Sequence, residues 1–500
     1  MLPKRLYSRD QVRELDRIAI EETGIPGLVL MRRAAEAACR TLLEVWPTVK
    51  QVSIFCGSGN NAGDGYLLAG LLAQRGLEVV VVQVGDPDKL GSDASAARDF
   101  CAQSPVSIIK PENLSDCGEL VVDALLGTGF SGPIKEDYAS AIQIINQSGK
   151  PVLSLDIPTG LCSNTGKAAV PCVRADLTVT FIACKTGLMT GDGPEYAGKV
   201  VLDLLGISDE VYDRVDSLVE CLNLAELRKH LVRRKRNSHK GVYGRLLLIG
   251  SDSNMPGALL MTGESALRCG AGLVTLATRK ENIPGIQARR PELMVQEVND
   301  QADLLPLLEK ADALVAGPGM GTNEWSRSLL AVVLKSNLPM VLDADALNIM
   351  AQCPEMRTNT EQCIITPHPG EAARLLDVTA KDVQENRLAA VVSLQKKLGC
   401  VVLLKGAGTL ISAECQSGSI SFLCPYGNPG MASAGMGDVL SGVIGSLLVQ
   451  GYAPSLAARL GACLHSKAAD ICAEREGETG MLATDIIPVI RGLLNGLEEA

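Results

Sequence analysis

The order of apolar and polar positions changes character near residue 50. Before it, Val12, Leu15, Ile18 and Ala19, then Leu28, Met31, Ala34 and Ala35, recur at helical spacing, so 9–48 is predicted to be helical. After it, short β-rich runs (52–55, 79–82, 120–122, 152–155 and 177–180) are separated by stretches long enough for a helix. Parallel strands need such crossovers, so these runs predict βαβ units and a parallel sheet. A second series begins at 245–250 and continues through 273–277, 313–316, 340–342, 363–366, 401–405 and 408–412. The fold class is therefore α/β, as two different domains in tandem. Between the series, 207–240 is charged and loses the rhythm, ending in Arg233-Arg-Lys-Arg236. The boundary is placed at 215–225, giving domains 1–217 and 218–500. Val211, Leu218, Leu222 and Leu231 are candidates for docking one domain onto the other.

Composition narrows the picture. The chain has 46% hydrophobic but only 3% aromatic residues, so its cores must be built from Ala, Val, Leu and Ile. Its 50 glycines are expected in turns and ligand loops, and the balance excludes disorder, collagen and coiled coil. A net charge of −10 argues against nucleic-acid binding and makes the basic run a solvated linker or helix end. An anionic ligand must then be held by local groups. No apolar run reaches the roughly 20 residues of a membrane span, and the start has no signal-like core, so a cytoplasmic protein without membrane contact is expected. The 16 cysteines are scattered without a C-x-x-C, which points to buried free thiols rather than disulfides or structural zinc.

Three loops of the first half carry chemistry. Cys56-Gly-Ser-Gly-Asn-Asn-Ala-Gly-Asp-Gly65 follows a strand and precedes a helix expected to open at about Tyr66. Such a loop cradles anions on free backbone amides, while its carboxamides and Asp64 can bind hydroxyls or a cation. The plainer alternative is a glycine turn capped by Asp64. Asp123, in Asp123-Ala-Leu-Leu-Gly-Thr-Gly129, and Asp156, in Asp156-Ile-Pro-Thr-Gly160, stand at two further strand ends. In an open parallel sheet these ends should converge on one crevice.

In the second half, Asn428-Pro-Gly-Met-Ala-Ser-Ala-Gly-Met-Gly-Asp438 leads into an apolar helix. Its glycines let amides approach a phosphate, and Asp438 stands where it can take a hydroxyl proton. Leu403-Leu-Lys-Gly-Ala-Gly-Thr409 suits a nucleotide; Gly317-Pro-Gly-Met-Gly321, Asp343–Asn348 and Thr366-Pro-His-Pro-Gly-Glu-Ala-Ala-Arg374 follow strands as well.

The first-half loops resemble the NAD(P)H-hydrate epimerases, whose fingerprint is G-x-G-N-N-G-G-D-G, D-A-L-[LF]-G-T-G and D-I-P-[ST]-G. Ala62 replaces a glycine, which would strain the loop if that φ were positive. The resemblance implies that Asn60, Asn61, Ala62, Gly63, Asp64, Gly127, Thr128, Gly129, Phe130, Ser131, Gly132, Pro133 and Asp156 contact the hydrate. It assigns a K+ ion to Asn61, Asp123 and Thr159. Asp156 is the candidate acid–base group, and Lys185 matches a family segment that could lie at the site.

The second-half motifs resemble the ribokinase-like dehydratases of NAD(P)H hydrates. Together with Ser238–Gly241, Arg290–Met294 and the first half, they are similar to the bifunctional NAD(P)H-hydrate repair enzymes over nearly the whole chain. That resemblance implies a Rossmann-like three-layer domain followed by a ribokinase-like α/β domain. Gly257, Gly319, His368, Pro369, Gly370, Glu371, Ala372, Ala373, Arg374 and Asp438 would contact the hydrate. Lys405, Gly406, Ala407, Gly408, Thr409, Asn428, Gly430, Met431, Ala432, Ser433, Ala434, Gly435, Met436 and Gly437 would hold ADP, with Ala434 where a glycine is common. The implied partners are NADH hydrate, NADPH hydrate and ADP, with K+ and Mg2+ as cofactors and a homo-oligomer as the assembly. The implied reactions are interconversion of the R and S hydrates and ADP-dependent dehydration of the S form by Asp438. The rival is a vitamin or sugar kinase fused to a non-catalytic binding module.

Overall fold

A computed structural model describes residues 3–130, 132–217, 219–253, 255–356, 362–415 and 418–497. The chain forms two compact units, Met1–Glu220 and Cys221–Ala500.

The first unit is built on seven parallel strands. Their spatial order is Val106–Ile109, Glu78–Gln83, Gln51–Cys56, Leu120–Ala124, Val152–Leu155, Leu177–Phe181 and Lys199–Asp203. The chain starts in the middle, runs to one edge, then returns past its start to the other edge. At that reversal the loops leaving Gln51–Cys56 and Leu120–Ala124 diverge, and a crevice opens at their C-terminal ends. Side chains alternate across the sheet. Val52, Ile54 and Val122 pack with helices Gly27–Val45 and Asn60–Gln74, while Phe55 and Val121 pack with helix Glu136–Gln147. The two edge strands at 106–109 and 199–203 were not expected, because their half-exposed positions break the apolar runs.

The helical segment 9–48 is divided into Arg9–Arg17 and Gly27–Val45. A π-turn, Ile18–Glu22, and Pro26 in extended backbone interrupt it. Three-residue strands such as Arg5–Tyr7 are too short to leave a period in the sequence.

The second unit repeats the middle-out plan. Its strands run Met294–Glu297, Leu273–Thr278, Arg245–Ile249, Ala313–Ala316, Met340–Leu342, Cys363–Ile365, Val401–Leu404, Thr409–Cys415 and Gly418–Cys424, the first seven parallel and the last two antiparallel. Helices Pro256–Arg268, Met436–Val449 and Pro454–Glu476 share its core. The helix Met436–Val449 is apolar nearly all round because it is buried nearly all round. A Cβ on its Gly442 would lie 2.1 Å from Ser265 Oγ, so glycine permits the close crossing with Pro256–Arg268.

Val211 is buried in the first unit's core and Leu222 in the second's, so each serves its own unit; Leu218 lies outside the described residues. None of the sixteen cysteines is in a disulfide, and most are buried. Among the described residues, no helix is long and apolar enough to cross a membrane.

Candidate active sites

In the first unit, helix Asn60–Gln74 begins six residues before the expected Tyr66. Gly59 is its N-cap in extended backbone (φ −116°, ψ −170°), so Asn-Asn-Ala-Gly-Asp forms the opening turn instead of a loop. Ala62 therefore has helical backbone and causes no strain. Ala62 and Gly63 face the helix packing, where a Cβ on Gly63 would meet Met31 Sδ at 2.5 Å. Gly59, Asn60, Asn61 and Asp64 face a cleft of about 480 Å³, with Gly127, Thr128, Gly129, Phe130, Asp156 and Lys185 on its other walls. Gly132 and Pro133 are exposed and not on the lining, and Ser131 lies outside the described residues. Three charged lining residues carried no signal in the sequence: Arg13 and Asp16 from the first helix, and Asp93.

Asp156 adopts left-handed backbone (φ 64°), which aims its carboxylate into the cleft, where Lys185 Nζ donates to it. Lys185 is 1% exposed and also donates to Thr180 Oγ1 (3.0 Å) and Phe181 O (2.9 Å), so it belongs to the site and not to the surface. Asp123 is fully buried. Its Oδ1 accepts from Leu125 N (3.2 Å) and Thr159 Oγ1 (2.7 Å), and its Oδ2 from Ser154 Oγ (2.9 Å) and Thr159 N (2.8 Å). Four donors fill the carboxylate's lone-pair sites, so Asp123 ties the strand ends together. Asn61, by contrast, is buried with neither carboxamide atom hydrogen-bonded. Such a group costs about 1–3 kcal/mol unless a ligand satisfies it. Burial pushes the Asp64 carboxyl well above the carboxylate range, and Asp156 and Asp16 add to the rise.

In the second unit, Asp343, the segment 367–371 and the start of helix Met436–Val449 meet around Lys405. Its Nζ donates to Asp343 Oδ1 (2.8 Å), and Asp343 Oδ2 accepts from Ser441 Oγ (2.8 Å). Burial works against the Lys405 ammonium, yet Asp343, Glu371 and Asp438 together raise its pKa. Gly435, left-handed at φ 90°, caps helix Met436–Val449 and places Asp438 in its first turn. A Cβ on Gly437 would come within 3.3 Å of Lys405 Nζ, so the glycine keeps the helix start against the lysine. Asp438 is pushed up to about 7, first by burial and then by Asp343 and Asp345, with Lys405 opposing.

Gly319 (φ 60°) lies against Ala258 and Met255, which brings it beside Gly257; nothing lies within 4 Å of a Cβ on Gly257. His368 caps helix Pro369–Leu376, its Nδ1 accepting from Gly370 N (3.0 Å), and burial and Lys405 lower its pKa. Glu371, Ala372 and Ala373 are buried on that helix, whereas Arg374 is exposed and donates to Asn348 (2.8 Å). In the expected ADP loops, Gly406, Ala407, Ala432 and Ala434 are exposed, and Gly408, Thr409, Gly430 and Met431 half-buried. Asn428 spends its carboxamide within the protein, Nδ2 on Asp470 (3.0 Å) and Oδ1 on Gly430 N (3.0 Å), so it shapes the loop. Ser433 Oγ and Thr366 Oγ1 are buried without hydrogen-bond partners.

Contributors missed in the sequence lie far off in the chain. Asp470 accepts from Gly427 N (3.1 Å), and His465 Nε2 lies 2.9 Å from Met436 O. The carbonyl can only accept, so Nε2 carries the hydrogen; burial lowers the His465 pKa to about 4. Arg387, 1% exposed, lies under Gly406, and its guanidinium would meet a Cβ there at 2.7 Å.

A doubly wound first unit with an acid-lined cleft, followed by a second with a glycine-capped helix start beside a lysine and a carboxyl group, has the build of a two-site α/β enzyme for phosphate-bearing ligands. Residues 246–491 match the NAD(P)H-hydrate dehydratase family and 27–187 the family described as YjeF-related protein N-terminus. The chain is 46% identical to the bifunctional NAD(P)H-hydrate repair enzyme Nnr of Coxiella burnetii, over 98% of this chain and 99% of that one. It is 40% identical to the enzyme of the same name from Escherichia coli, over 99% and 95%. A ribokinase-like superfamily protein from Enterococcus faecalis superposes with a TM-score of 0.51 at 30% identity, over 56% of this chain and 96% of that one. The chain belongs to the bifunctional NAD(P)H-hydrate repair enzymes.

Proposed function

We propose that the second unit dehydrates S-NAD(P)H hydrate with ADP and the first interconverts the R and S hydrates. The observation that carries this reading is Asp438, a carboxyl group held near neutrality in the first turn of a glycine-capped helix, beside Lys405. Asp438 takes the proton of the hydrate's C6 hydroxyl, whose oxygen attacks the terminal phosphorus of ADP; AMP leaves. Backbone amides at the helix start and Lys405 hold the phosphates. Loss of phosphate with a ring proton restores the dihydropyridine. Chiral chromatography of a mixed hydrate tests both halves: without ADP the epimers should equilibrate, and with ADP both should disappear into NAD(P)H. A stable phosphorylated product would overturn the second assignment.

The base must be ionised to act. Because the Asp438 pKa lies near 7, dehydratase kcat/KM should fall about tenfold per pH unit on the acid side of neutrality and level off above it. A profile flat from pH 5 to 8 (a range of about three units) would contradict this.

The unpartnered Asn61 supports a K+ ion at the first site, with Thr159 a further oxygen, whereas Asp123, expected as a ligand, has its lone-pair sites filled by four donors and would act only through its charge. A K+ ion there would supply fixed positive charge for the substrate's oxygens. Asn61→Ala should abolish the rise in melting temperature that K+ gives over a large organic cation, without lowering stability in the organic cation. Mg2+ would arrive on the nucleotide, since Asp343 and Asp345 are already bonded to Lys405, Ser441, Gly321 and Asn348.

The two units each have their own core and their own site. Fragments 1–220 and 221–500 should therefore epimerise and dehydrate separately, and a C-terminal fragment needing the N-terminal half to dehydrate S-hydrate would show a shared site.

A further inference from the structure

The first site has an acid–base requirement that Asp156 alone does not meet. Opening a ring at a carbon that bears both a hydroxyl and the ring nitrogen takes two proton transfers. One proton leaves the hydroxyl; another must reach the nitrogen as it departs. Asp156, ion-paired with Lys185, suits the first role. The second needs a proton donor on another wall, since Lys185 is held by Asp156, Thr180 and Phe181.

Helix Arg9–Arg17 makes that wall. The strand before it, Arg5–Tyr7, pairs in register with Cys184–Lys185, Tyr7 standing opposite Lys185. A capping box between Ser8 and Gln11 starts the helix at that point, and Arg9 N donates to Asn164 Oδ1 (2.7 Å). The helix is thus anchored beside the Lys185–Asp156 pair, and Asp16 lines the same cleft. Among the described residues its carboxyl makes no hydrogen bond or ion pair. Resting on the reading of this cleft as an epimerase site, we propose that Asp16 is the second acid–base group of the epimerisation.

The step balances. Asp156 takes the hydroxyl proton, the bond from C6 to the ring nitrogen breaks with its electron pair going to nitrogen, and the Asp16 carboxyl protonates that nitrogen. C6 becomes an aldehyde, which rotates. The nitrogen attacks its other face and returns its proton to Asp16, while the oxygen recovers the proton held by Asp156. No net charge or oxidant is involved.

The surroundings of Asp16 agree. Burial raises its pKa, and Asp156 and Asp93 raise it further against Lys185. Asp64 faces it from helix Asn60–Gln74, and Arg13 lines the cleft from its own helix. Burial pushes Asp64 well above the carboxylate range and raises Asp16 as well, and an acid so raised suits proton donation to a departing nitrogen.

The test compares full-length wild-type, Asp16→Asn and Asp16→Ser proteins in hydrate epimerisation. Asp16→Asn should lower kcat by about 10²–10⁴-fold with KM little changed, and the basic limb of the kcat–pH profile should vanish. A purely structural role would not remove one limb. Formate, a small exogenous acid, should restore part of the rate to Asp16→Ser, and this arm decides the question if the Asn variant does not fold. A near-wild-type kcat, an unchanged basic limb, or no formate rescue overturns the role of Asp16. If the wild type itself fails to equilibrate the epimers, the reading of the cleft falls with it.

Discussion

Asp438→Asn should lose ADP-dependent restoration of the dihydropyridine absorbance by about 10²–10⁴-fold, the usual range for removal of a general base. The substitution keeps the shape of the side chain and the turn that Gly435 sets up. Lys405 keeps its bond to Asp343, so the phosphate site should survive and the KM for ADP should change little. Stability should hold or rise, because a carboxyl raised by burial to about 7 contributes unfavourably once ionised above that pH. Epimerisation should be untouched. Dehydration at a near-normal rate would remove Asp438 from the chemistry.

The mirror experiment is Asp156→Asn, expected to slow epimerisation by about 10²–10⁴-fold while leaving dehydration of S-hydrate intact. Asparagine is the informative replacement, because it tolerates the left-handed backbone at φ 64° that alanine would adopt at a cost of about 1–2 kcal/mol. A slow Ala variant would mix strain with chemistry. The Asn variant leaves the buried Lys185 ammonium facing neutral acceptors only, without the carboxylate charge, so its melting temperature should also drop. The time course of a pure epimer approaching equilibrium measures the effect. Wild-type kinetics would show that Asp156 only holds Lys185 in place.

Much of the frame was legible in one dimension. The strands at 152–155, 313–316 and 340–342 begin and end where their runs of mostly apolar residues do, since parallel strands buried on both faces are near-continuously apolar. Edge strands escaped notice for the opposite reason: half of each faces solvent. The start of helix Asn60–Gln74 was misjudged because asparagine and glycine read as loop formers. Here they serve as an opening turn, as Gly59 takes the cap and Met31 closes over Gly63.

Functional residues divide along the same line. Asp156 and Lys405 announce themselves because they directly follow strands, and Asp438 because it opens a helix behind a run of glycines. The sequence by itself determined the tandem α/β plan, the strand-end placement of these groups and the kind of ligand they suit. Only the tertiary structure decided how each is used. Asp123 became a hub filled by donors from Leu125, Ser154 and Thr159, Asn428 a brace for its own loop, Lys185 a buried partner of Asp156, and Asp16, Asp470 and His465 members of sites far along the chain. The reason is physical: hydrogen bonding and desolvation act over a few ångströms of space, and neighbours in space here can stand more than a hundred residues apart in sequence.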